Sequence, residues 1–349
     1  MTSKETTKMT KSAIIAIVFT FIAQPALAEV SFDSPGKADL RGLIADIQVS
    51  AAGTAELVSY RAGNKIIFGE DDRVEYFQAP EGFREAADSV VSLWKSQFVL
   101  REGGSGPYTL ALDTYGRRYN LCPGVRFAEQ SVGAFCSGAL VGEDLVLTAG
   151  HCIKDENTCK STRFVFGFGV KGESEAAAGQ VPESDVYGCA EVIKRDWTNY
   201  SVSQNGGPQQ TIFGDDFALV RLDRKVAGRK PLAVGRDGGV KKGDAVMTMG
   251  HPSGLPLKIS TYATVVKPIA ENDRFFVTNL DSFGGNSGGP VFNAATGLIE
   301  GVLVRGDGDS FLQTFDGCNI FHVKPQNAGV GVSANKLDKV LEFIPELPL

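Results

Sequence analysis

The 349-residue sequence has no C-x-x-C pair, no internal repeat, no low-complexity tract, no long run of like charge, and only three histidines. Each absence removes a class of protein. With His151 the sole histidine beside a cysteine, a structural zinc site has no ligand set. With no clustered basic face and a formal net charge of −6, nucleic acid is excluded as a main partner. The apolar run near the amino terminus, Ala13 to Ala23, is 11 residues, well short of the roughly 20 that span a bilayer. Stable membrane insertion is therefore not expected.

That short run has a different use. Lys4, Lys8 and Lys11 precede it, and Pro25 with Ala26-Leu27-Ala28 comes after it as a small-residue cleavage pattern, the layout of a secretory signal peptide cut after Ala28. Its removal takes away three lysines and Glu5, leaving a chain of net charge −8. Residues 1–28 are read as the signal peptide and 29–64 as a pro-segment or amino-terminal extension. The localisation expected is secreted or periplasmic. Six cysteines (Cys122, Cys136, Cys152, Cys159, Cys189 and Cys318) then fit an oxidising compartment, where an even count permits three disulfides.

From about residue 108 the chain is a series of short apolar runs broken by glycine and polar turns. They are Tyr108–Leu112, Ala139–Leu147, Arg163–Phe168, Phe217–Leu222, Ala245–Met249, Tyr262–Val266, Arg274–Leu280, Pro290–Phe292 and Leu298–Val304. Many short strands at such spacing, with 41 glycines in the chain, indicate an all-β sandwich or barrel. The stretch Gly82–Phe98 is ambiguous between a helix and a strand at Val90–Leu93. At the end, Ser333 as a cap and Leu337, Val340, Leu341 and Ile344 on one face predict a terminal α-helix stopped by Pro345.

Four glycines and a proline surround one serine in Gly284-Gly285-Asn286-Ser287-Gly288-Gly289-Pro290. Glycine is used in this density where the backbone must fold tightly or approach another group closely. Ser287 is thus either a turn residue or a nucleophile. A nucleophilic serine needs a base, itself oriented by a third group. Of the histidines, His151 ends the apolar run leading through Thr148-Ala149-Gly150, where a side chain can reach a cleft. His251 lies in turn chemistry, Gly250-His251-Pro252-Ser253-Gly254. His322, between Phe321 and Val323, reads as a strand residue.

The segments "FCSGALVGEDLVLTAGHC", "DDFALVRLD" and "DSFGGNSGGP" resemble, in order, the three signature segments of the chymotrypsin/trypsin-like serine protease family. The resemblance runs from about Cys136 to the end. It implies two six-stranded antiparallel β-barrels, the first over 65–235 and the second, with the terminal helix, over 236–349. It implies His151 as general base, Asp216 as the carboxylate that orients it, with Asp215 the alternative, and Ser287 as nucleophile. The backbone N–H groups of Gly285 and Ser287 would form the oxyanion hole. No metal or organic cofactor is implied, and the partners would be protein or peptide substrates. The resemblance also implies a Cys136–Cys152 disulfide. For the other four cysteines three pairings are open, of which Cys159–Cys189 with Cys122–Cys318 is preferred.

The departures narrow the resemblance. Asn286 stands where animal zymogens carry an aspartate, and no Ile-Val-Gly-Gly-like sequence precedes Cys136. The pattern is more similar to bacterial exported members, including the glutamyl endopeptidases, whose mature part begins with something like "FGEDDRVE" at 68–75. In specificity, Asp281 matches the carboxylate at the pocket floor of trypsin-like members, implying cleavage after Lys or Arg. The competing reading pairs Asp281 internally with Arg305, at the end of the wall strand. Leu303 occupies the place of the histidine that glutamyl endopeptidases carry there, and Phe283 replaces a bracing cysteine. Arg305-Gly306-Asp307, the Asp307/Asp309 pair and the sequon Asn199-Tyr200-Ser201 are short enough to arise by chance. The function expected is a secreted serine endopeptidase. The alternatives are a catalytically inactive binding or adhesion module on the same fold, and an esterase, which would want a G-x-S-x-G elbow between strand and helix, whereas Asn286-Ser287-Gly288-Gly289-Pro290 leads into a strand.

Overall fold

The computed structural model describes residues 66–347 except 203–209, 237–238, 268–273 and 307, with backbone alone for 199–202 and 210–213. The expected signal peptide (1–28), the segment 29–64 and Asp307 lie outside the described residues, as do the side chains of the 199–201 sequon.

The glycine-punctuated apolar runs pair into two closed barrels. The first comprises β1 (Val90–Lys95), β2 (Cys136–Leu140), β3 (Leu145–Thr148), β4 (Thr162–Phe166), β5 (Val186–Val202) and β6 (Gln210–Leu222). Their order is β4-β5-β6-β3-β2-β1, and pairing of β1 with β4 closes the ring. The second comprises β7 (Ala245–Gly250), β8 (Lys258–Lys267), β9 (Phe275–Thr278), β10 (Pro290–Asn293), β11 (Ile299–Arg305) and β12 (Val332–Lys336). Here the order is β7-β10-β11-β12-β9-β8, closed by β7 against β8. All these pairings are antiparallel, so every inner strand hides its backbone polar groups in ladders and no edge is left open. Leu147, Phe217 and Leu219 of the first barrel share a core with Met249, Val302 and Val304 of the second.

Three expectations change. The apolar run Ala139–Leu147 is a hairpin, β2 and β3, rather than one strand. The ambiguous stretch is both things in turn: an α-helix over Glu81–Ala87 that buries Phe83, Ala86 and Ala87, then β1. The segment from Ile66 to Glu75, expected at the head of the first barrel, pairs with the second. Ile67–Phe68 lies parallel to Val323–Lys324, and Val74–Glu75 adds to the side of β8.

The terminal α-helix is corrected. Ser333, the expected cap, sits inside β12, bonded between β9 and β11, because the second barrel needs that strand to close. Beyond β12 the chain makes only a 3-10 turn, over Leu341–Phe343. Leu337, Val340 and Ile344 are buried as their helical spacing requires, but successive turns deliver them rather than a helix.

Candidate active site

His151 is placed by close backbone packing at the end of β3. Gly150 lies against the carbonyls of Asp196 and Phe217, and a side chain there would collide with main chain of β5 and β6. Only glycine lets the chain pass so close, and the next residue emerges beside Asp216. The His151 N–H donates to Asp216 Oδ1 at 3.0 Å, and His151 Nδ1 lies 2.9 Å from Asp216 Oδ2. The imidazole is 30% exposed while the carboxylate is 2% exposed, so the pair has one dry end and one wet end. The Asp216 backbone N–H donates to Asn335 Oδ1 at 2.7 Å, anchoring the main chain that carries the carboxylate.

Burial by itself would raise the Asp216 pKa, but the His151 hydrogen bond, the His151 charge and the Arg305 guanidinium outweigh it and hold the carboxyl below its ordinary range. Asp215, the alternative, turns the other way to Lys339 Nζ at 2.6 Å and Arg274 Nε at 3.6 Å.

Ser287 sits in a loop held from three sides. Asn286 N–H donates to Phe283 O and Gly289 N–H to Asn286 O, winding the loop on itself. Gly288 N–H donates to Leu303 O at 2.7 Å, pinning it to β11. Ser137 of β2 joins the parts: its N–H donates to Ser287 O at 2.8 Å, and its hydroxyl donates to Gly285 O and accepts from His251 N–H, each at 2.8 Å. Gly288, at φ 88°, presses against Ser137 O, Thr148 Oγ1 and Ala149 N, so the loop bearing Ser287 lies directly on the segment that leads into His151. Cys152 Sγ is 3.7 Å from Ser287 O on the same contact. The Ser287 hydroxyl, 3.5 Å from Val304 O, belongs to a residue that is 7% exposed.

The turn carrying His251 is the floor of this loop. Gly285, at φ 94°, rests on His251 O, with the N–H groups of Ser253 and Gly254 next to it. Ser253 N–H donates back to Gly284 O. The Gly285 N–H has no acceptor among the described residues. His251 itself is buried, with Nδ1 3.1 Å from Leu255 O, and burial drives its pKa down to about 3. It is a neutral structural ring, in line with its turn setting. His322 is exposed in part, with Nδ1 2.9 Å from Asp309 O. The supporting role of Ser137 was not expected. A serine inside the apolar run of β2 was its only visible signal.

The residues expected at a specificity pocket separate. Asp281 is 3% exposed and accepts from Phe68 N–H at 2.7 Å and from Asp72 N–H at 3.1 Å, both in the amino-terminal segment. Burial, then the charge of Asp72, raises its pKa to about 8. Leu303 is a core side chain of the second barrel, among Leu280, Val291 and Ala334. Arg305 meets Asp216, not Asp281: its Nη2 is 3.3 Å from Asp216 Oδ2. A register shift between Leu303 and Arg305 in the β11–β12 pairing re-aims that side chain across to the first barrel. Phe283 braces the region by ring packing on Phe311 and Phe321, with Arg73 Cζ 4.3 Å from its centroid.

All three disulfides match the expected pairing: Cys136–Cys152, Cys159–Cys189 and Cys122–Cys318. Among the described residues, one His/Cys/Asp/Glu cluster has metal-like spacing, Cys136, His151 and Cys152. Its two sulfurs are joined to each other, so no thiolate is left to ligate a metal.

Residues 136–302 match the family model described as the trypsin-like peptidase domain. Over that span the chain is similar to the trypsin-like peptidases. The matched span contains His151, Asp216 and Ser287. Among solved structures, the domain is similar to a Glu endopeptidase in complex with MPD, at 16% identity and a TM-score of 0.41, over 80% of this chain and 97% of that one. No curated protein matches. Among the described residues, no helix is long and apolar enough to cross a membrane.

Proposed function

We propose that the protein is an exported serine endopeptidase that hydrolyses peptide bonds through an acyl-enzyme. Ser287 Oγ attacks the scissile carbonyl carbon while His151 Nε2 takes the hydroxyl proton. The imidazolium, stabilised by Asp216, returns that proton to the leaving amine as the C–N bond breaks. Water then attacks the ester, giving its proton to His151, and Ser287 is restored with the carboxylic acid released. The oxyanion is received by the N–H groups of Gly285 and Ser287, and one such donor is worth about 3 kcal/mol of transition-state stabilisation.

One observation carries this reading: Asp216 fixes the His151 ring on its Nδ1 side, and the Ser287 loop is packed on the segment from which that ring springs. Three disulfides suit an extracytoplasmic compartment and support export. The proposal leaves out a preference for Lys or Arg. The Asp281 oxygens already accept two backbone N–H groups, and a carboxyl with its pKa near 8 is largely uncharged at neutral pH, which removes the attraction for a basic side chain. Incubation with a diverse peptide mixture tests the proposal. Cleavage by the protein that disappears in Ser287→Ala is expected. An equal absence of cleavage in both would favour a protease fold used only for binding.

A further inference from the structure

Arg305 is built into the proposed catalytic pair, and nothing in the hydrolytic scheme requires it. Its Nη2 and His151 Nδ1 converge on the same atom, Asp216 Oδ2, at 3.3 and 2.9 Å. The arginine side chain is 14% exposed and the aspartate 2%, so the contact is largely shielded from water and screening is weak. The guanidinium carbon lies 4.5 Å from the Phe275 ring centroid, a second contact that holds the side chain in place. One residue earlier on the same strand, Val304 O is 3.5 Å from Ser287 Oγ. The end of β11 thus touches both the nucleophile and the carboxylate.

The other charges nearby are engaged elsewhere. Lys339 lies on Asp215 and within 4.0 Å of Asp196, Arg274 lies near Asp215, and Arg195 donates to Gly150 O at 3.2 Å. Among the described lysines and arginines, Arg305 is the one in direct contact with the Asp216 carboxylate.

Resting on the proposed Ser-His-Asp reading, we propose that Arg305 is a positioning residue of the Asp216–His151 pair. Its guanidinium locks the carboxylate oxygen that orients the ring and opposes a second positive charge on that ring. A cation beside Asp216 offsets part of the charge that would otherwise stabilise the imidazolium.

The test measures the rate of labelling by a serine-directed phosphonate against pH for the whole chain, for Arg305→Met and for Arg305→Lys. In parallel, proton NMR tracks the His151 ring signals against pH in Ser287→Ala with and without Arg305→Met. With three histidines in the chain the assignment is tractable. In Arg305→Met the acid limb of labelling and the pH response of the ring signals should both move to higher pH, as loss of a neighbouring cation requires. Arg305→Lys should restore most of that shift. Superimposable profiles for the protein and Arg305→Met would overturn the proposal. So would equal shifts in the Met and Lys variants, which would make the effect one of packing. If the unmodified protein takes no label, the hydrolytic reading fails, and the NMR titration alone decides whether Arg305 acts on His151.

Discussion

The two barrels hold their halves of the site by different means. The first bears His151 and Asp216, and covalent links surround them: Cys136–Cys152 closes the loop into His151, and Cys159–Cys189 ties the 156–160 turn to β5. The second bears Ser287 and contains no disulfide between its own six strands. Around Asp281 it is held by buried charge. Arg73, 1% exposed, pairs with Asp71 and lies over the rings of Phe127, Phe283 and Phe321. Lys258 is buried on Glu75 and Gln130, and Asp281 on the N–H groups of Phe68 and Asp72. A covalent link is indifferent to pH, whereas a buried ionisable group is stable only in the protonation state its surroundings accept. The two halves of one site should therefore respond differently to acid and base.

The largest expected effect lies in the first barrel. Replacing both Cys136 and Cys152 by Ala opens a loop of sequence separation 16, and a loop of that size is worth about 3 kcal/mol. Urea unfolding midpoints should fall by the same amount at every pH between 5 and 9. A loss that varied strongly with pH would erase the contrast between the halves.

A smaller effect, with opposite pH behaviour, is expected at Asp281. Folding favours its protonated form, because burial raises its pKa from 3.8 to about 8. Its contribution to stability is fully present below 3.8 and drains away as pH rises through about 8. Asn cannot accept both backbone N–H groups, so Asp281→Asn should be less stable at pH 5 by about 1 kcal/mol, the worth of one hydrogen bond. By pH 9 the gap should close or reverse, since the variant carries no charge to bury. Parallel unfolding curves for the two proteins from pH 5 to 9 would show that Asp281 does not titrate in this way.

Legibility in the sequence divides along similar lines. The roles proposed for His151, Asp216 and Ser287 and the Cys136–Cys152 bridge come from a family resemblance carried by local segments, whereas the other two bridges were one choice among the three pairings that the cysteine count leaves open. The strand β5 was not legible. Glu191, Lys194, Arg195 and Asp196 crowd it, and three register shifts against β6 break the alternation that would reveal a strand. The partner of Arg305 was also hidden, since a shift of one residue in β11 decides which barrel its side chain faces. Asp281 matched a familiar position, yet what it binds comes from residues 68 and 72, more than 200 positions away in the chain. The terminal helix failed for a related reason. The periodicity of Leu337, Val340, Leu341 and Ile344 was real, but closure of the second barrel drew Val332–Lys336 into a strand first.

The central claim, that Ser287 is a hydroxyl activated by the Asp216–His151 pair, is tested most directly by mapping the adduct of a serine-directed phosphonate by mass spectrometry. A single covalent adduct on the peptide containing Ser287 is expected, slowed by orders of magnitude in Asp216→Asn and absent in Ser287→Ala. An unmodified Ser287 peptide, or labelling that proceeds equally well in Asp216→Asn, would contradict it.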